Sequence, residues 1–422
     1  MPLAPTETLL PGLSFPTDHQ LANGATLVAL PLAEAPLVCL DFWCRAGSVF
    51  EGNGESGMAH FLEHMVFKGS ERLGPGEFDL RIEAMGGNSN AATGFDDVHY
   101  HVLIPPDAAG AALDLLLDLV LRPRLEAEAF SMERQVVLEE LAQSEDQPDE
   151  IALQKLLQLG CPGHAYGEPI LGRRERLQAQ TPEAMAAFHQ RLYGANRCVL
   201  AISGSLEPEV WTDRISTSAL GELAAVDEPP PRPPLAVCAG SHRVVVPRLE
   251  SARLLMLWGL PAAADLHGVM GADLLTTVLA EGRRSRLVER LREQLRIVES
   301  IDLDLHVMES GSFALLEAIC EPDELPAVRE AISQVWEELR AEGVAAAEWL
   351  RAQRLVANGY RFGLEAPGGV AGLIGNNRLW GRRHGLTLPL EEIHAWSADD
   401  LLQRTVPLLE PSRACVLEAV PA

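Results

Sequence analysis

Residues 56–69 read Ser56-Gly-Met-Ala-His60-Phe-Leu-Glu63-His64-Met-Val-Phe-Lys-Gly69. The two histidines and the glutamate spell H-x-x-E-H. On a helix each residue turns by about 100°, so positions 60, 63 and 64 share one side of the cylinder. Two imidazoles one turn apart grip one small cation. A carboxylate beside them reaches a water held there. Leu62, Met65, Val66 and Phe67 give the segment apolar faces, which predicts an anchored helix. Ser56 and Gly57 stand at its start and Gly69 at its end, as helix boundaries require.

The order of these residues is the zinc-protease H-E-x-x-H motif reversed. The chain has 12 histidines. That composition gives about 0.03 chance matches per chain, so the neighbouring sequence carries the argument. A catalytic zinc needs three protein ligands and an open position. The best stretch for a third ligand is 130–141, FSMERQVVLEEL. It reads as a helix in which Met132, Val136, Leu138 and Leu141 supply apolar contacts. Glu133 and Glu140 are two turns apart and share one stripe. One can bind metal while the other orients a ligand. Spacing alone does not choose Glu140 over Glu139.

These segments resemble peptidase family M16, the pitrilysin or insulinase family of zinc metallopeptidases. Glu140 follows His64 by 76 positions and closes an E-x6-E pair with Glu133. Ala46-Gly-Ser48, Gly86-Gly-Asn-Ser-Asn-Ala91, His164-Ala-Tyr-Gly-Glu-Pro-Ile-Leu-Gly172 and Tyr193-Gly-Ala-Asn196 are also similar to family segments, as is Ser285-Arg-Leu287 through Arg292. The resemblance covers nearly the whole chain and is stronger in the first half. It implies an α+β protein of two homologous α/β sandwich domains, with a peptide-sized cavity between them. It also implies Zn2+ held by His60, His64 and Glu140. Glu63 would be the general base, Glu133 the carboxylate orienting a ligand, and Asn90 and Ala91 part of the strand that pairs with substrate. Family members supply transition-state donors from the second half as R-x6-Y. Arg292 fits the arginine position, but Glu299 stands where tyrosine is expected.

A chain of 422 residues suits two or more domains. Asp227-Glu-Pro-Pro-Pro-Arg-Pro-Pro234 cannot sustain helix or sheet and reads as a stiff linker. The expected division is therefore 1–226, carrying the zinc site, a linker at 227–234, and a related domain at 235–422 without metal ligands. Strands are expected at 24–31 and 36–44 as a hairpin. A polar edge-type strand is expected at 88–93, and an alternating one at 97–104. After the linker the same order recurs with weak residue identity. His99 and His101 share a strand face. Polar strand faces usually meet solvent or substrate, so neither is expected to bind metal.

A net charge of −26 argues against nucleic acid and anionic membrane as partners and favours basic peptides. The seven cysteines include no C-x-x-C, and most sit in apolar strand-like contexts, as reduced core residues do. Residues 1–17 contain no lysine or arginine and do not read as a secretory or transit signal. No apolar run is long enough to span a membrane. The expected location is cytoplasmic.

Two functions compete. In the first, the chain is a zinc-dependent endopeptidase hydrolysing extended or unfolded peptides through a zinc-bound water, with Glu63 as base. It would be the metal-bearing subunit of a homodimer, or of a heterodimer with a second M16-like chain. In the second, it is a non-catalytic subunit that holds peptides or aids assembly around a vestigial zinc site. Glu299 favours the second; the complete H-x-x-E-H…E set favours the first.

Overall fold

The computed structural model describes residues 15–205, 207–383 and 385–422. Eleven strands form two sheets among these residues. The first contains β1 (Thr17–Gln20), β2 (Thr26–Pro31), β3 (Val38–Cys44), β4 (Asn88–Thr93), β5 (Val98–Ile104) and β6 (Cys198–Gly204) in the order β1-β2-β6-β3-β5-β4. The second contains β7 (Gly240–Val246), β8 (Ala252–Leu260), β9 (Ser300–His306), β10 (Ser312–Cys320) and β11 (Cys415–Pro421) in the order β7-β11-β8-β10-β9. In the first sheet β6 pairs parallel with β2 and antiparallel with β3, and in the second β11 pairs parallel with β7 and antiparallel with β8. The second sheet thus repeats the topology of β2–β6, as the recurring pattern suggested.

One expectation fails. β2 and β3 do not form a hairpin, because β6 lies between them. β6 comes some 150 residues later in the chain. It is buried along its whole length and completes the sheet centre. Local turn chemistry could not reveal a partner so distant in sequence.

The burial patterns explain each strand's place. β3 is buried at every position and is central. β5 alternates buried and half-buried residues. Its Val98, Tyr100, Val102 and Ile104 join Val38, Leu40 and Phe42 in a core with α1 (Met58–Val66), α2 (Glu77–Ala84) and α3 (Ala109–Leu121). β4 alternates exposed and half-buried residues and pairs only with β5, so it is the open edge.

The opposite face of each sheet is covered by a helix from the other half of the chain. The helix Pro367–Leu379 lays Val370, Ala371 and Ile374 on Val28, Leu30, Cys39, Trp43 and Ala201 of the first sheet. Conversely α5 (Pro148–Gly160), which follows α4 (Ala127–Asp146), packs on β8 and β11. Glycines permit both approaches. A Cβ at Gly375 would lie 2.5 Å from the Trp43 indole, and one at Gly160 would lie 2.7 Å from Leu257. The strands of the two sheets fall on either side of residues 227–234, but the packing does not.

A polar clamp joins the halves next to β4. Tyr166 donates from its hydroxyl to Asp96, 2.8 Å away, and accepts from the Ser310 amide. Asp96 also accepts from the Glu309 amide at 2.8 Å. This gives a role to the tyrosine of the His164–Gly172 stretch.

Candidate metal centre

α1 forms as predicted, but its start is held differently. Gly57 has φ 83°, and a Cβ there would meet Leu171 O at 2.7 Å, so only glycine fits. Ser56 does not cap the helix. The Glu51 carboxylate does, accepting from the Gly57 amide at 3.0 Å and the Ala59 amide at 2.9 Å. Burial pushes Glu51 up to about 8, against those two N–H bonds. Sequence reasoning missed this residue, because it reaches the helix across a loop rather than from the adjacent cap position.

Six residues of α1 are buried, which fixes the helix and leaves His60, Glu63 and His64 half-buried on the remaining side, between α4 and β4. α4 presents Glu140 to both histidines. Glu140 Oε2 is 3.3 Å from His64 Nε2, and Glu140 Oε1 is 3.7 Å from His60 Nε2. One donor atom from each residue lies within 4.8 Å of the others. Glu139 points to solvent. Of the two glutamates that spacing left open, Glu140 is the one that faces both histidines. Met132 and Val136, expected to pack inward, are exposed; Phe130, Val137, Leu138 and Leu141 anchor α4 instead. The apolar stripe is rotated from the one read in the sequence because Glu133 occupies a buried position.

Glu133 accepts from His64 Nδ1 at 2.9 Å and from Lys68 Nζ at 2.6 Å. Its burial raises the carboxyl, but these two donors outweigh it and leave Glu133 below the usual range. Lys68 was not foreseen; its signal was its place one turn after His64. For His64, burial lowers the imidazole, yet Glu133 and Glu140 reverse the effect and raise it. Burial pushes His60 down to about 4, with His64 adding to the effect. The His60 Nδ1 is buried without a hydrogen-bond partner among the described residues.

Glu63 accepts a short hydrogen bond from Thr93 of β4. Burial raises its carboxyl, partly offset by that bond. The candidate base is therefore tethered to the open edge strand. Asn90 is exposed on that strand, and its Oδ1 accepts from the Ala91 amide at 2.9 Å. A cavity of about 480 Å3 runs between the halves here, lined by Thr93, Asp97 and His99 on one side and His306, Met308 and Phe313 on the other.

Arg292 is not brought to this centre by any contact among the described residues. It hydrogen-bonds Glu293 at 3.0 Å, and Glu299 accepts from Ser251 at 3.1 Å. Arg286 is held by Glu348 at 2.7 Å and 2.9 Å.

The second half carries the counterpart of α1. Ala272-Asp273-Leu-Leu-Thr276-Thr277 on the helix Leu266–Leu279 stands in register with Ala59-His60-Phe-Leu-Glu63-His64, and Gly282 with Gly69. Both glycines have positive φ, 116° at Gly69 and 76° at Gly282. Aspartate and two threonines replace the histidines and glutamate.

The donor set fits a divalent ion. Two imidazole nitrogens and one carboxylate oxygen converge from two rigid helices, and one imidazole is oriented by a carboxylate. The fold and site define a duplicated α+β protein with one H-x-x-E-H centre, in its first half. The family model "Insulinase (Peptidase family M16)" matches residues 27–174, and "Peptidase M16 inactive domain" matches residues 180–356. The chain belongs to peptidase family M16. It is 26% identical over 377 residues to an uncharacterized zinc protease of Mycobacterium leprae, covering 88% of this chain and 84% of that one. It is 31% identical over 195 residues to a probable mitochondrial-processing peptidase subunit beta of Arabidopsis thaliana, covering 46% of this chain and 37% of that one. A protease structure from Helicobacter pylori superposes with a TM-score of 0.89 at 23% identity, over 96% of this chain and 99% of that one.

Proposed function

We propose that the chain is a zinc-dependent endopeptidase acting on extended peptides, with His60, His64 and Glu140 holding the zinc. The observation that carries this reading is the convergence of those three side chains beside a half-buried, tethered Glu63. Zinc at such a centre supplies Lewis acidity toward a carbonyl and a bound water. Glu63, raised by burial, takes the proton of the attacking water and returns it to the leaving amine. Thr93 aims that carboxylate. The open edge of β4 offers main-chain groups to a substrate strand beside Asn90 and Ala91, which reads extension more than sequence. Relatives named as zinc proteases support the assignment.

Arg292 is engaged by Glu293, and Glu299 occupies the expected tyrosine position. Those two facts favour a paired assembly, in which a second M16-like chain contributes the missing donors. The domain division proposed with this reading is 1–226, 227–234 and 235–422, the catalytic part being the first.

The test is cleavage of a panel of unstructured peptides by the purified chain, alone and mixed with a candidate partner carrying R-x6-Y. Hydrolysis that chelation abolishes and zinc restores is expected. No hydrolysis by the zinc-loaded chain in any combination, together with retained peptide binding, would establish the peptide-holding reading instead.

A further inference from the structure

We propose that Asp41, His99 and His101 form a second divalent-metal site, on the face of the first sheet opposite the His60 centre. The register assembles it. Asp41 of β3 pairs directly with His101 of β5, and Trp43 with His99, so all four side chains share one face. The alternate residues Val98, Tyr100 and Val102 point the other way, into the core that holds α1.

Asp41, His99 and His101 each offer one donor atom within 4.8 Å of the other two. Asp41 is 2% exposed, while both histidines are half-buried. Asp41 Oδ1 is 3.0 Å from His99 Nδ1. A hydrogen-bonded Asp–His pair alone would account for that contact. It does not account for His101, whose ring makes no hydrogen bond among the described residues although Asp41 acts on it electrostatically. The His101 ring stacks beside His99 with centroids 5.6 Å apart. The carboxylates of Asp97 and Glu63 add negative potential at His99.

The helix Pro367–Leu379 crosses this face with glycine at 372 beside Asp41, so it brings no side chain from that position onto the carboxylate; a Cβ there would be in ordinary contact with Asp41 Oδ2 at 3.8 Å. His99 lines the cavity between the halves, so solvent and ion have a route. Two imidazoles and one carboxylate suit a first-row transition dication such as zinc or cobalt, rather than calcium or magnesium. Bound there, the ion would tie β3 to β5 directly behind the open edge strand β4. This site shares no ligand with the His60 centre, so it stands or falls independently of the proposed peptidase activity.

The experiment is cobalt and zinc titration of the chelator-stripped full chain, read by metal analysis and by the visible absorption of bound cobalt. About two ions per wild-type chain are expected. His60→Ala/His64→Ala should retain about one, with a cobalt spectrum of its own. Adding His99→Gln/His101→Gln should remove it while circular dichroism stays unchanged. A wild-type ratio of one that vanishes in His60→Ala/His64→Ala would overturn the proposal. Cobalt-induced shifts of the His99 and His101 ring resonances in His60→Ala/His64→Ala, where the first centre cannot hold the ion, provide a second reading with both rings intact. Unshifted rings at saturating cobalt would likewise overturn it.

Discussion

Glu139 and Glu140 are neighbours in sequence and opposite in consequence. The carboxylate at 140 faces both histidines, and the one at 139 faces water. Glu140→Gln should therefore strip the centre of its ion, whereas Glu139→Gln should leave metal content unchanged, as metal analysis after dialysis will read. Glu133→Gln keeps the helix but weakens the acceptor for His64 and Lys68. A change in such a supporting group costs on the order of 10- to 100-fold in metal affinity, to be measured by competition with a zinc-binding dye. His60, Glu63 and His64 were legible because a helix converts a 0, 3, 4 spacing into proximity. Glu51, Thr93 and Lys68 were not. Two of them reach the site through tertiary contacts across a loop or from another strand, which no local pattern records. His99 and His101 showed their shared face in the alternation of β5. Their third companion, Asp41, became visible only through the register of β3 on β5.

The element that repeats α1 in the second half carries its own consequence. Asp273 stands at the position of His60, and burial, with Glu281 nearby, pushes its carboxyl up to about 6. The folded state thus prefers this group protonated more strongly than the unfolded chain does. Its stabilising contribution is full below about pH 4 and is lost as pH rises through about 6. Asp273→Asn removes that dependence. The variant should match the wild type near pH 4 and exceed it by on the order of 1 kcal/mol at pH 7. Thermal melts at both pH values check this, and an equal offset at both would contradict it. Helix and strand positions were largely readable from periodicity, β4 and α4 included. The predicted β2–β3 hairpin failed because a strand far along the chain inserts between its members, a competition that turn residues do not encode.

Across the whole molecule, the exchange of covering helices makes the two halves interdependent. Cutting a protease site engineered within 227–234 should leave them associated, because Pro367–Leu379 and α5 each bury an apolar face on the other half's sheet. Size-exclusion chromatography should then show one species at the uncut volume; two separate peaks would contradict the packing. Duplication was legible in the recurring strand order and in the proline run between the repeats. The helix exchange was not, since a helix's apolar stripe does not name the surface it covers. All of this architecture brings two histidines and Glu140 together beside the half-buried carboxylate of Glu63, and that carboxylate offers the most direct test. Glu63→Gln in the zinc-loaded chain should bind as much zinc as the wild type and lose peptide hydrolysis by about 100-fold or more. Hydrolysis by that variant at the wild-type rate would contradict the account.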